Sequence, residues 1–325
     1  MAKKAIDNGF QVIGIQRSIP SYRKEQVTYR LKELNIYHKI NFEITDLSDK
    51  NNLASLFKRF KPKYCVHLAS QSSVKKSFEY EELTNESNVV ISKNIIDTIE
   101  EFSKETIFFF PSSATIFEGY KDIQVNERTT PNPKTNYSRT KYKTQEYIQE
   151  KVNNSALQLN TGIMFSHESE YRTSNYFSKK ITEFLAEYKK TGGIKINVGD
   201  LSIERDIGYA KEYVDAIYKI LTSNKRTNYI VSSNRLYKLS EFIEHCLDLL
   251  DIKYKVEIND KHITYLDKKN NFQFISSSKE EYRKYDLKGI RGDNSKILNE
   301  LGWSPLIKLD GITKRMMDYE HKKQI

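Results

Sequence analysis

The sequence predicts an α/β fold, a doubly wound parallel sheet followed by a smaller C-terminal α/β part. Two observations carry this. Short, continuously apolar runs alternate with segments of helical period through the first half, and strands that read apolar throughout are covered on both faces. The composition is also that of a globular chain: 38% hydrophobic and 30% charged, with 12 Gly and 6 Pro in 325 residues. No segment is of low complexity and no repeat of fixed period is visible.

The elements follow in order. The chain opens with "MAKKAIDNGFQVIGIQRS". Ala2 to Asn8 are helix formers closed by Gly9, and Phe10–Ile15 reads as a buried strand. Ile40–Leu47, Tyr64–Ser70, Thr106–Ser113 and Ala156–Phe165 are the next strands. The stretches "DKNNLASLFKRF" and "TNESNVVISKNIIDTIEEF" carry helical period, with Asp49 and Thr84 placed as N-caps. Past residue 166 the order loosens to a helix over about 175–190, the short strand "IKINVG" and a helix over Ala210–Leu221. The strand "NYIVSS", the helix "KLSEFIEHCLDLL" and two short helices joined through "GWSP" complete the chain. Residues 1–165 thus form one domain. Residues 166–325 form mainly a cap over the carboxyl edge of its sheet, with some segments returning to the first domain. Ligands of such sheets bind beyond the carboxyl ends of the strands.

A net charge of +10 invites a nucleic-acid reading, but Lys and Arg are interspersed with Asp and Glu and form no dense basic block. A solvated surface that also attracts small anions accounts for it, so no nucleic-acid partner is expected. Cys65 and Cys246 read as core thiols of a reducing compartment. No apolar run is long enough to span a membrane and no signal peptide is visible, so a cytoplasmic protein without a membrane partner is expected.

The chemistry lies after the strands. "PSSATIF" ends the Thr106–Ser113 strand, and "NYSRTKYKTQEY" follows it, with Tyr137 and Lys141 four apart on one helix face. An ammonium beside a phenol favours the phenolate, so the expectation is a Tyr137 proton affinity drawn down toward neutrality. Such a pair can exchange a proton with a substrate hydroxyl during hydride transfer, and Ser112-Ser113 offers a hydroxyl to orient the same oxygen. His167 has no other ligand at a plausible spacing, so no metal site is expected.

At these residues the chain resembles the extended short-chain dehydrogenase/reductases, and within them the GDP-mannose 4,6-dehydratase family. "HLASQSSVKKSF" is similar to that family's L-x-A-Q-S-H-V-x-x-S-F, and "GIMFSHES" to its G-I-L-F-N-H-E-S. "VGDLSIERDIGYAKEYVDA" and "GDNSKILNELGWSP" resemble its Arg-Asp-x-Gly-x-Ala and Leu-Gly-Trp-x-Pro pieces. The resemblance implies a Rossmann-like domain binding NADP, with NAD as the alternative, a cap binding a GDP-sugar, and a homo-oligomer. It places Arg17 and Ser18 at the cofactor 2′-phosphate, where one arginine of the family's pair is missing. It places Asp46, Leu47, Leu68, Ala69, Gln71 and His167 along the cofactor, together with Tyr137 and Lys141. For Asp46 a helix cap after the strand is the alternative reading. Ser166, Glu168, Asn175, Lys180, Arg205, Arg283 and Asp286 fall at the substrate, with guanidinium groups suited to gripping phosphates.

Two departures from the family remain. Its first strand and glycine-rich turn have no counterpart here, so either the chain is incomplete, the favoured expectation, or cofactor binding has been lost. At the catalytic strand end the family has S-T-S-E, and this chain has Ser112, Ser113, Ala114 and Thr115. Thr115 cannot supply the carboxyl that removes the C5 proton and protonates the leaving hydroxyl. Glu118 stands where the family has glycine and reaches the site only if the strand end is rebuilt. "SSAT" resembles 4-epimerases and reductases of the wider group instead. Three expectations therefore stand: a 4,6-dehydratase, a GDP-sugar 4-epimerase or 4-ketoreductase, and a non-catalytic nucleotide-sugar binder. In the catalytic readings Ser113, Tyr137 and Lys141 do the chemistry, with Thr115 at the strand end.

Overall fold

The computed structural model describes residues 1–16, 21–282 and 287–323. Arg17, Ser18, Arg283 and Asp286 lie outside the described residues. The central sheet holds four parallel strands in the order Asn228–Val231, Leu159–Met164, Ile107–Ser113, Tyr64–Val66. Val12–Gln16 and Ile40–Ile44 form a separate parallel ladder, and Phe10 packs edge-on to Tyr64 at 5.3 Å.

The apolar run Phe108-Phe109-Phe110 shows why the sheet is covered on both faces. Side chains alternate along a strand. Phe108 and Phe110 enter a core with Leu53, Phe57, Ile96 and Ile148, while Phe109 enters another with Tyr213, Ile217 and Ile220. The first core lies under the helices Lys50–Phe60, Ile91–Phe102 and Asn136–Asn154, and the second under Ala210–Thr222. Strand Asn228–Val231, far along the chain, returns to pair with Leu159–Met164.

Two sequence expectations change. Asp49 caps its helix, accepting from the amides of Asn51 and Asn52, but Thr84 is no cap. The helix starts earlier, at Glu81, and passes through a π segment, Glu86–Val90, into Ile91–Phe102. Inside it the Thr84 hydroxyl donates back to the Tyr80 carbonyl, 2.7 Å away, as a hydroxyl within a helix can. Of the two helices around "GWSP", Ser295–Leu301 is short, while Leu309–Lys323 runs for 15 residues.

The C-terminal half has its own core around Ile181, Leu185, Phe242, Ile243, Tyr265 and Met316. A sheet of strands Tyr254–Asn259, His262–Asp267, Gln273–Ser277 and Ile196–Val198 packs there. The buried Lys179 ammonium pairs with Glu320 and donates to the Glu170 carbonyl, 3.0 Å away, tying the helix Phe177–Thr191 to the C-terminal one. A further sheet, of Ser166–Glu168, Glu204–Tyr209 and Leu236–Lys238, follows directly on the central strand Leu159–Met164. Among the described residues no helix is long and apolar enough to cross a membrane.

Candidate active site

Strand Ile107–Ser113 delivers Ser113 to the carboxyl edge of the sheet, and the chain turns at once into the 3₁₀ segment Ala114–Phe117. The helix Asn136–Asn154 begins beside that edge, capped by a reciprocal Thr135–Ser138 box. Tyr137 and Lys141 lie one turn apart on it, so the spacing read from sequence does bring both groups to the site.

The Ser113 hydroxyl is the hub. It accepts from the Thr115 amide at 3.3 Å and from the Thr115 hydroxyl at 3.0 Å, and it bears on the Tyr137 phenol, easing its ionisation. Lys141 is buried below, its ammonium 5.9 Å from the Tyr137 ring centre and 4.8 Å from that of Phe110. It donates to the Pro111 carbonyl at 3.0 Å and to the Ser70 hydroxyl at 3.3 Å.

Burial dominates the electrostatics and overturns the expectation for Tyr137. Its phenol is pushed up to about 12, chiefly by desolvation, against the pull of the Ser113 hydroxyl and Arg172. Burial also pushes Lys141 down to about 7. At 5.9 Å from the ring the ammonium does not offset what the phenolate loses in leaving water. At neutral pH Tyr137 therefore keeps its proton. His67, sandwiched between Phe108 and Phe110, is driven down to about 3 by burial and by Lys141 and is a neutral core residue.

The strand ends supply a surface suited to a dinucleotide. Strand Tyr64–Val66 is shorter than the sequence suggests, because the chain turns out of the sheet after Val66. Leu68 is left 52% exposed beside the exposed Ala69. That apolar shelf borders Ser70 and Lys141, while the Ser112 hydroxyl is buried without a partner. An apolar wall with convergent donors fits a nicotinamide riboside. Gln71 is fixed by the Asn88 side chain, which accepts from its amide at 2.8 Å. Asp46 accepts from the Ser48 amide and hydroxyl and shapes the turn after its strand, whereas the Leu47 side chain is buried in the core, leaving only its backbone for a ligand.

Ser166–Glu168 runs parallel to the strand carrying Arg205, pairing Ser166 with Ile207 and Glu168 with Tyr209. Glu168 accepts from the Ser178 hydroxyl at 2.5 Å and lies 3.4 Å from Arg172. The His167 ring meets the Phe165 carbonyl at 2.8 Å and tilts against Tyr213 at 5.0 Å, a buried orienting contact. Asn175 is exposed and accepts from the Thr173 hydroxyl, and Lys180 reaches the Asn197 carbonyl at 3.3 Å. Among the described residues no group of three His, Cys, Asp or Glu side chains could hold a metal.

Two residues beyond the sequence expectations belong to the site. The Arg172 guanidinium stacks 3.6 Å from the Tyr176 ring centre, and both bear on the Tyr137 phenol. The Tyr176 hydroxyl meets that of Ser72 at 3.2 Å, bridging the cap to the turn after strand Tyr64–Val66. Their only sequence signal is position, between His167 and Lys180.

A family model described as GDP-mannose 4,6 dehydratase matches residues 1–316. The GDP-mannose 4,6 dehydratase of Cricetulus griseus is 24% identical over 324 residues, covering 98% of this chain and 86% of that protein. Two solved structures share the fold. The UDP-glucuronic acid 4-epimerase of Bacillus cereus, in complex with UDP-glucuronic acid and NAD, has a TM-score of 0.80 and 15% identity, covering 99% of this chain and 95% of that one. RMD of Pseudomonas aeruginosa, complexed with NADPH, has a TM-score of 0.74 and 16% identity, covering 96% of this chain and all of the other.

Proposed function

The chain belongs to the GDP-mannose 4,6 dehydratase family, and from that membership we propose that it is an enzyme transferring hydride at C4 of a GDP-hexose with NADP. The observation that carries the reading is the cluster of Thr115, Ser113 and Tyr137 beside the buried Lys141, with the Thr115 hydroxyl bonded to that of Ser113 and the ammonium 5.9 Å from the Tyr137 ring centre. A nicotinamide dinucleotide bound along Leu68, Ala69 and Ser70 supplies the hydride acceptor or donor. Tyr137 holds the proton that passes to or from the C4 oxygen, and Ser113 orients that oxygen. Because burial keeps the phenol protonated, the site favours proton donation to a C4 carbonyl. In the oxidising direction the charged form of Lys141 assists loss of the phenolic proton.

Elimination of water across C5 and C6 needs a base for the C5 proton and an acid for the departing hydroxyl. Thr115 supplies neither at neutral pH, and Glu118 spends its carboxylate on the start of the Tyr137 helix. We therefore favour reversible oxidoreduction, as in a 4-epimerase or 4-ketoreductase. The family match over residues 1–316 favours the second reading, 4,6-dehydration. Mixing NADP-loaded protein with GDP-mannose in a single turnover tests hydride transfer. Growth of the reduced-nicotinamide absorbance supports the proposal, and its absence at saturating GDP-mannose refutes it. Parallel fluorescence titrations with NADPH and NADH test the cofactor, with tighter NADPH binding expected.

A further inference from the structure

We propose that Glu118 is a positioning residue that locks the Tyr137 helix to the catalytic strand end. The carboxylate is 7% exposed. One of its oxygens accepts from the Lys134 amide at 2.8 Å, the Thr135 amide at 2.5 Å and the Ser138 hydroxyl at 2.5 Å. Those are the last residues before the helix Asn136–Asn154 and its third residue, and Tyr137 lies between them. The carboxylate thus takes up the Lys134 amide, reinforces the Thr135–Ser138 box and complements the positive end of the helix dipole.

The surrounding backbone makes this a rigid link. The Gly119 amide donates to the Asn132 carbonyl at 2.9 Å, and the Asn132 amide donates to that of Ile116 at 2.7 Å. A Cβ on Gly119 would sit 2.3–2.6 Å from Asn132, so the two segments are as close as glycine permits. Ser113 and Thr115 stand at one end of this clamp and Tyr137 at the other. Glu118 therefore governs the Ser113–Tyr137 separation without touching substrate. The sequence singled out Glu118 as a displaced carboxylate, and the fold gives it this separate task.

The inference builds on the role proposed for Tyr137, so its main test does not use turnover. Tyrosine labelled with ¹³C at Cζ is introduced into the full chain, and the Tyr137 signal is assigned with Tyr137→Phe. Glu118→Gln keeps the shape and one acceptor oxygen but removes the charge. The expected result is faster amide exchange at Lys134 and Thr135 together with a displaced Tyr137 ¹³C resonance, as the helix start moves relative to Ser113. A Tyr137 resonance that does not move, with or without a loss of melting temperature, overturns the proposal and leaves Glu118 a plain helix cap. Glu118→Ala additionally lowers single-turnover reduction by about tenfold or more, as displacement of a reacting group does. Failure of the unsubstituted protein to act on GDP-mannose counts against the proposed function, while the ¹³C resonance and the amide exchange still decide this inference.

Discussion

Replacing Lys141 with Met makes the protein more stable at mildly acid pH and loses that advantage as the pH rises. Lys141 falls from 10.5 when free to about 7 in the folded state, a difference of about 3.5 pH units. At 1.36 kcal/mol per unit this is about 5 kcal/mol that the fold pays to bury the ammonium when the group is charged in both states. Below about pH 7 the full cost is present. Between about 7 and 10.5 the unfolded chain binds more protons than the native one, so native stability rises with pH and the cost fades. Met removes the cost but leaves the Pro111 carbonyl and the Ser70 hydroxyl without their donor, a loss of about 1–3 kcal/mol. The expected net gain is thus about 2–4 kcal/mol near pH 6, vanishing and then reversing toward pH 10. Urea denaturation of both proteins across that range measures it. A stability difference that stays constant with pH would refute the claim that Lys141 is buried at the expense of its charge.

Tyr137→Phe should abolish hydride transfer and leave GDP-sugar affinity nearly intact, measurable by single turnover and calorimetry; equal turnover in the variant rules out the assigned role. Lys179→Met breaks the buried pair with Glu320 and leaves that carboxylate only the more exposed Lys323, 3.7 Å from it, so it should destabilise by up to about 3–5 kcal/mol, whereas replacing both partners with apolar residues should cost much less. A melting temperature unmoved by the single change would contradict the burial of that pair. Gly208→Ala places a methyl 2.2–2.7 Å from the Tyr213 ring and phenol and should cost about 1–3 kcal/mol, read as a lowered urea midpoint.

The central sheet was legible because its strands are apolar on both faces, as in "IFFF" at residues 107–110, and because the Tyr137–Lys141 spacing survives any error in helix ends. The strand Tyr254–Asn259 was not legible. Tyr254, Val256 and Ile258 alternate with Lys255, Glu257 and Asn259, but the run is short and Lys-rich and follows directly on a helical pattern, and five of its six residues are exposed, so no buried apolar face sets it apart. Nor could Thr84 be recognised as interior, since the π segment that carries the helix past it has no local signature. The direction of the Tyr137 shift was misread for a related reason: a neighbouring ammonium is visible in the sequence, but the depth at which both groups are buried is not. The Arg172–Tyr176 stack depends on a loop folded over the site, and no periodicity encodes it.

The most direct test of hydride transfer without elimination is the mass of the product formed from GDP-mannose with NADP, by chromatography and mass spectrometry. The account predicts a separable GDP-hexose of unchanged mass, or its 4-keto form with an equivalent of NADPH. A product lighter by one water would show that dehydration proceeds with Thr115 in place of the carboxylate and would contradict it.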